Sequence, residues 1–158
     1  LEKETKRLIK ITIPISRETF VDPTFNGYLL GLLKAYGIPY EFIRLKFDME
    51  LRANYYAPQL MELVDCGISF DTTSVQMALN YPFHALHLEI KKESIKWNQY
   101  LQHMKQVLDA FQMALVIHGI QNKEQKAHVE RLGIQYIEGS LYKQVLPEHL
   151  IQKIKEAV

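Results

Sequence analysis

The chain is poor in everything that staples, punctuates or anchors a protein. It holds one cysteine, Cys66, in 158 residues, so no internal disulfide can form. A reducing compartment, the cytoplasm, is the setting that fits. Seven glycines and six prolines are too few and too scattered to make a linker or a low-complexity segment. Charge of one sign is lacking as well: 19 basic residues against 18 acidic ones leave a net charge of +1. That balance gives no electrostatic grip on nucleic acid or on a membrane surface. No apolar run reaches the roughly 18 residues that span a bilayer, and no secretory signal is visible. The first residue is Leu1 rather than methionine, inside a charged lead, LEKETKR. This reads as a piece cut from a longer protein.

What is present is a core and a rhythm. Apolar residues make up 47% and charged residues 23%, the composition of one globular domain, residues 1–158. Strand-like runs alternate with helix-like ones. Strands are expected at Leu8 to Ser16, Phe42 to Asp48, Ile68 to Thr72, Ala85 to Lys91, Met113 to His118 and Tyr136 to Glu138. The first helix is expected to start at Asp22 and Pro23, run through Tyr36 and close at Gly37, with Asp as N-cap, Pro in the first turn and Gly past the end. Further helices are expected from about Tyr56 to Cys66, Val75 to Asn80, Trp97 to Gln112, Asn122 to Leu132 and Glu148 to Ala157. Six strand–helix units with short connections predict an α/β fold of parallel strands with helices outside. The pattern leaves open whether they form most of a barrel or an open doubly wound sheet.

In either fold, ligands sit at the C-terminal ends of the strands. Those ends carry Ser16, Asp48, Asp71 with Thr72 and Thr73, Glu89 with Lys91, His118, and Glu138 with Ser140. Asp48, Asp71, Glu89, His118 and Glu138 are ligand types for a metal ion. No tight ligand spacing backs that reading, and strand ends are also polar because they meet solvent. His84 and His87 read as packing or surface residues, and Trp97, Tyr100 and Phe111 as core. Several of the tyrosines, Tyr28, Tyr36, Tyr40, Tyr55 and Tyr56, are candidates for an exposed contact patch, with half-buried packing as the default.

A family comes into view in the segment GIQNKEQKAHVERLGIQYIEGSLYKQVLP, Gly119 to Pro147. It resembles the end of EAL domains, bacterial enzymes that hydrolyse the second messenger cyclic di-GMP. Glu124-Gln125, Leu132-Gly133, Tyr136, Gly139, Leu141 and Leu146-Pro147 keep the family register without a gap. Upstream, LEIKKESI (Leu88 to Ile95) resembles the family's LKIDRSFI, and ITIPIS with RETFVDPTF resembles its VNVSARQLRDPDF. The resemblance implies a partial TIM-like (β/α) barrel made of the last six strand–helix units of an EAL domain, with the first two missing.

The same resemblance places the family's functional positions on unsuitable residues. Its first asparagine falls on Pro14. The metal-binding glutamate of LEITE falls on Lys46, and that motif's second glutamate on Met49 or Glu50. The paired aspartates of DDFG fall on Thr73 and Ser74. The lysine and aspartate of LKID fall on Glu89 and Lys91. The glutamates of AEGVE fall on His118 and Gln121, and the glutamine before the final glycine on Glu138. Hard divalent metals need oxygen ligands, and an ammonium in place of a carboxylate repels them. The expectation is therefore a non-catalytic regulatory module with no metal and no cofactor, acting on a protein partner in bacterial signalling. Alternatives are a receptor that binds cyclic di-GMP without cutting it, a residual phosphodiesterase, or new chemistry around His118. The swapped charges Lys46 and Glu89 are expected to pair across the barrel lumen. The open edges of a six-unit sheet allow a homodimer.

Overall fold

The computed structural model describes residues 10–47 and 53–142. Six strands alternate with helices in chain order: β1 (Ile11–Ile15), α1 (Arg17–Val21), α2 (Phe25–Ala35), β2 (Ile43–Phe47), α3 (Ala53–Asp65), β3 (Ser69–Thr72), α4 (Val75–Asn80), β4 (Ala85–Glu89), α5 (Ile95–Ala110), β5 (Ala114–His118), α6 (Lys123–Arg131) and β6 (Tyr136–Ile137). All neighbours pair in parallel, in the order β1-β2-β3-β4-β5-β6. That order settles what the sequence left open. A doubly wound sheet reverses its strand order once, which puts helices on both faces. An unbroken order with right-handed crossovers puts every helix on one face and curls the sheet. The result is a half-barrel, with a lumen on its concave side.

Local chemistry sets the boundaries. Ser16, Ser74, Ser94 and Asn122 accept hydrogen bonds from the backbone N–H three residues on and start α1, α4, α5 and α6. Gly37, Gly67 and Gly133 follow α2, α3 and α6 with φ of 64°, 97° and 76°, the left-handed conformation that closes a helix. One expectation shifts: the helix expected from Asp22 to Tyr36 is α2, which begins only at Phe25, and an additional short helix, α1, precedes Asp22. Asp22 does not cap a long helix. Its carboxylate accepts from the Thr24 backbone N–H and hydroxyl at 2.8 and 2.7 Å, and this turn separates α1 from α2. The expected last helix, Glu148 to Ala157, lies outside the described residues, as do Leu8, Asp48, Met49, Glu50 and Pro147.

Alternation divides β2 between two environments. Ile43, Leu45 and Phe47 are buried against the helices, while Arg44 and Lys46 are half-buried on the lumen side. On the helix side, Phe47 packs edge-on against Phe20 of α1 at 4.7 Å and stacks on Phe70 of β3 at 5.5 Å. Phe83 closes the cluster. Phe111, expected in the core, is 58% exposed just past the end of α5. No helix among the described residues is long and apolar enough to cross a membrane.

Candidate functional site

The lumen side carries the polar residues singled out from the sequence. The register sets Lys46 beside both Pro14 and Asp71, and Glu89 beside His118. Pro14 lies exposed on the edge strand β1. Asp71 is the one buried carboxylate among the described residues. Its Oδ2 meets His87 Nε2 at 2.9 Å, and Arg44 Nε stands 3.4 Å from its Oδ1. The arginine contact is electrostatic, without the alignment of a hydrogen bond. His87 is itself buried, and its Nδ1 lies 3.9 Å from the half-exposed carboxylate of Glu138. Arg44, Asp71, His87 and Glu138 thus form a chain of polar contacts across the lumen, from β2 to the end of β6. Because burying an unpartnered carboxylate is costly, Asp71 is committed to this chain.

Above it, at the strand ends, opens a cavity of about 510 Å³ lined by Thr73, His87, Leu88, Glu89, Lys91, Trp97, Tyr100 and His118. Ser94 caps α5 so that Trp97 and Tyr100 stand on its first turns at the cavity wall. Their rings stack at 5.3 Å, and the Lys91 ammonium lies 5.5 Å over the indole. The pKa of His118 is pushed below its ordinary value, first by burial and then by Lys46; Glu89 opposes this, His87 adds to it and Glu138 opposes it. Lys46 and Glu89 therefore both act on His118, which lies in β5 beside Glu89. The contacts described across the lumen are those of Asp71 and His87.

Thr73, Glu89, Lys91 and His118 meet at this cavity as the sequence suggested, and Lys46 and Glu138 border it electrostatically. Ser74 and Gln121 have structural roles. The Ser74 hydroxyl caps α4, and the Gln121 backbone N–H donates to Gln125 Oε1 at 2.7 Å at the start of α6. Gly139 belongs to the frame too: a Cβ there would collide with the backbone of Ile120. Two features escaped the sequence reading. His87 is buried, one of the two roles expected for it, but its bond to Asp71 was not foreseen. Trp97 and Tyr100 were expected in the core, yet they line the cavity. The usable signal for the aromatic pair was its i, i+3 spacing directly after the last strand-end lysine.

The arrangement fits a divalent metal poorly. A hard cation needs several anionic oxygens, whereas among the described residues the Asp71 carboxylate is engaged by Arg44 and His87 and the Lys46 ammonium stands close by. Among the described residues no three acidic, histidine or cysteine side chains come together as metal ligands.

Solved structures decide the architecture. An EAL domain of Mycobacterium smegmatis, from the protein DcpA, superposes with a TM-score of 0.79 at 16% identity, over 94% of this chain and 74% of that one. The fold is that of an EAL domain. An EAL domain protein of Listeria monocytogenes gives 0.76 at 15% identity, over 94% of this chain and 65% of that one. The Bacillus subtilis protein YkuI, solved with its substrate cyclic di-GMP and calcium, gives 0.72 at 17% identity, over 94% of this chain and 42% of that one. The chain thus spans less than two thirds of the Listeria protein and less than half of YkuI. No family model and no curated relative matches the sequence.

Proposed function

We propose that this EAL-fold chain is a regulatory module of cyclic di-GMP signalling that works by contact with a protein partner and does not hydrolyse the nucleotide by metal catalysis. The observation that carries the reading is the occupied lumen: Asp71 is tied to His87 and Arg44, and Lys46 stands close enough to His118 to lower its pKa. Family-type hydrolysis needs metal-bound water and neutralisation of the phosphate by divalent ions. Positive side chains at the strand ends repel those ions. In this reading residues 1–158 act as one unit in the cytoplasm, need no cofactor, and use the barrel as a scaffold.

A second reading, a receptor that holds cyclic di-GMP without cutting it, has its own support. The stacked pair Trp97 and Tyr100 offers an aromatic wall of the kind on which bases stack, and Lys91 stands beside it. Calorimetric titration with cyclic di-GMP, with and without Mn²⁺, combined with an assay for the linear product, separates the readings. The expected result is no heat and no product. Heat without product makes the chain a receptor. Linear product that depends on Mn²⁺ overturns both.

A further inference from the structure

The cavity at the strand ends holds one polar atom that no described residue answers. His87 is 2% exposed, and its Nε2 is spent on Asp71 at 2.9 Å. A carboxylate only accepts, so Nε2 carries the hydrogen and, in the neutral ring, Nδ1 presents a bare lone pair. That Nδ1 is buried and has no hydrogen-bond partner among the described residues. The carboxylate oxygen facing it, Glu138 Oε2, stands 3.9 Å away, too far for a hydrogen bond. It is an acceptor as well, so neither group satisfies the other. An unpaired buried acceptor costs stability. The missing complement is a group that brings hydrogens to both.

The rest of the cavity narrows the choice. Glu89 adds a carboxylate to the wall, and Trp97 and Tyr100 make an aromatic side. The indole face already carries the Lys91 ammonium, so it suits cations. Glu89 and Glu138 are balanced in charge by Lys91 and Lys46, and no excess of positive charge draws in a phosphate. A guanidinium meets each condition. It is planar, it only donates, its N–H groups form a fork, and it stacks on aromatic rings. We propose that the cavity takes an arginine side chain presented by a protein partner, donating one N–H to His87 Nδ1 and another to the Glu138 carboxylate. Asp71 is then a positioning residue, which fixes the imidazole so that its lone pair faces the ligand. The proposal rests on the reading of this chain as a module that works by protein contact, and it names the chemistry of that contact. The volume of about 510 Å³ has room for the guanidinium and its stem.

Calorimetry with α-N-acetyl-L-argininamide, an arginine side chain with blocked ends, tests this. Binding is expected with a Kd on the order of 1 mM, about tenfold tighter than for the lysinamide analogue, whose ammonium lacks the planar fork. Glu138→Gln is expected to weaken binding about tenfold. Lys91→Met, which removes a like charge from the wall, is expected to tighten it. Both side chains are exposed, so both variants keep the fold, which circular dichroism verifies. A merely structural role would not move the two affinities in opposite directions. With isotope-labelled histidine, the nitrogen resonance of His87 Nδ1 is expected to shift on binding while that of Nε2, tied to Asp71, stays. No heat with argininamide leaves Nδ1 to water and overturns the proposal. Equal affinity for lysinamide overturns the fork, and binding of free L-arginine alone overturns the protein partner. Binding of guanosine in place of argininamide overturns the guanidinium. The wider reading falls on a different observation, Mn²⁺-dependent linear product from cyclic di-GMP, which none of these titrations measures.

Discussion

At the scale of single residues, the chain's most committed side chain is Asp71. It is fully buried, and it alone joins Arg44 on β2 to His87 on β4. Removing it leaves the Arg44 guanidinium without this carboxylate and the buried His87 Nε2 without its hydrogen-bond partner. Asp71→Ala is therefore expected to cost about 3 kcal/mol of stability, read as a lower urea midpoint. A loss below about 1 kcal/mol, the value of an exposed pair, would show that water already screens the lumen. The same commitment explains why Asp71, a reasonable metal ligand on chemistry alone, is unavailable to one.

At the scale of elements, side-chain caps start α1, α4, α5 and α6. The last described helix, α6, shows this best. Its N-cap, Asn122, accepts from the Gln125 backbone N–H at 2.9 Å, while the Gln125 side chain reaches back to the backbone N–H of Gln121. Two unpaired donors of the helix start are satisfied by two neighbouring side chains, in the manner of a capping box. Asn122→Ala is expected to destabilise by about 1 kcal/mol, and Asn122→Asp to retain the wild-type melting temperature within about a degree. If both variants melt alike, the cap is not what starts α6. This cap also matters for the cavity, because the turn it fixes follows directly on His118.

At the scale of the whole molecule, the histidines set the response to pH. Burial, followed by the cations Arg44 and Lys10, pushes the pKa of His84 down, and burial with Lys46 does the same for His118. A base whose folded pKa lies below its ordinary value of 6.5 takes up its proton first in the unfolded chain. The unfolded state then binds more protons, so stability falls as pH drops. Thermal melts are expected to be flat with respect to these two groups above pH 6.5 and to decline below it. Both side chains are partly exposed, so the slope is shallow. His118→Gln is expected to reduce it, and an unchanged slope in the double variant with His84→Gln would assign the effect elsewhere.

Much of this architecture was already determined by the sequence. The alternation of strand and helix patterns, the start of α6 at Asn122 and the glycines that close α2, α3 and α6 are local properties, and they came out where the sequence placed them. The exception, the late start of α2, is local as well: the Asp22 side chain bonded two residues on instead of capping a helix. Only the tertiary structure decided the rest. Strand order, and with it the choice of barrel over doubly wound sheet, depends on which strands pair. The partners of Asp71 lie on different strands, 27 residues before it and 16 after it, and no pattern along the chain brings them together. Whether Trp97 and Tyr100 face a core or a cavity depends on what stands opposite them.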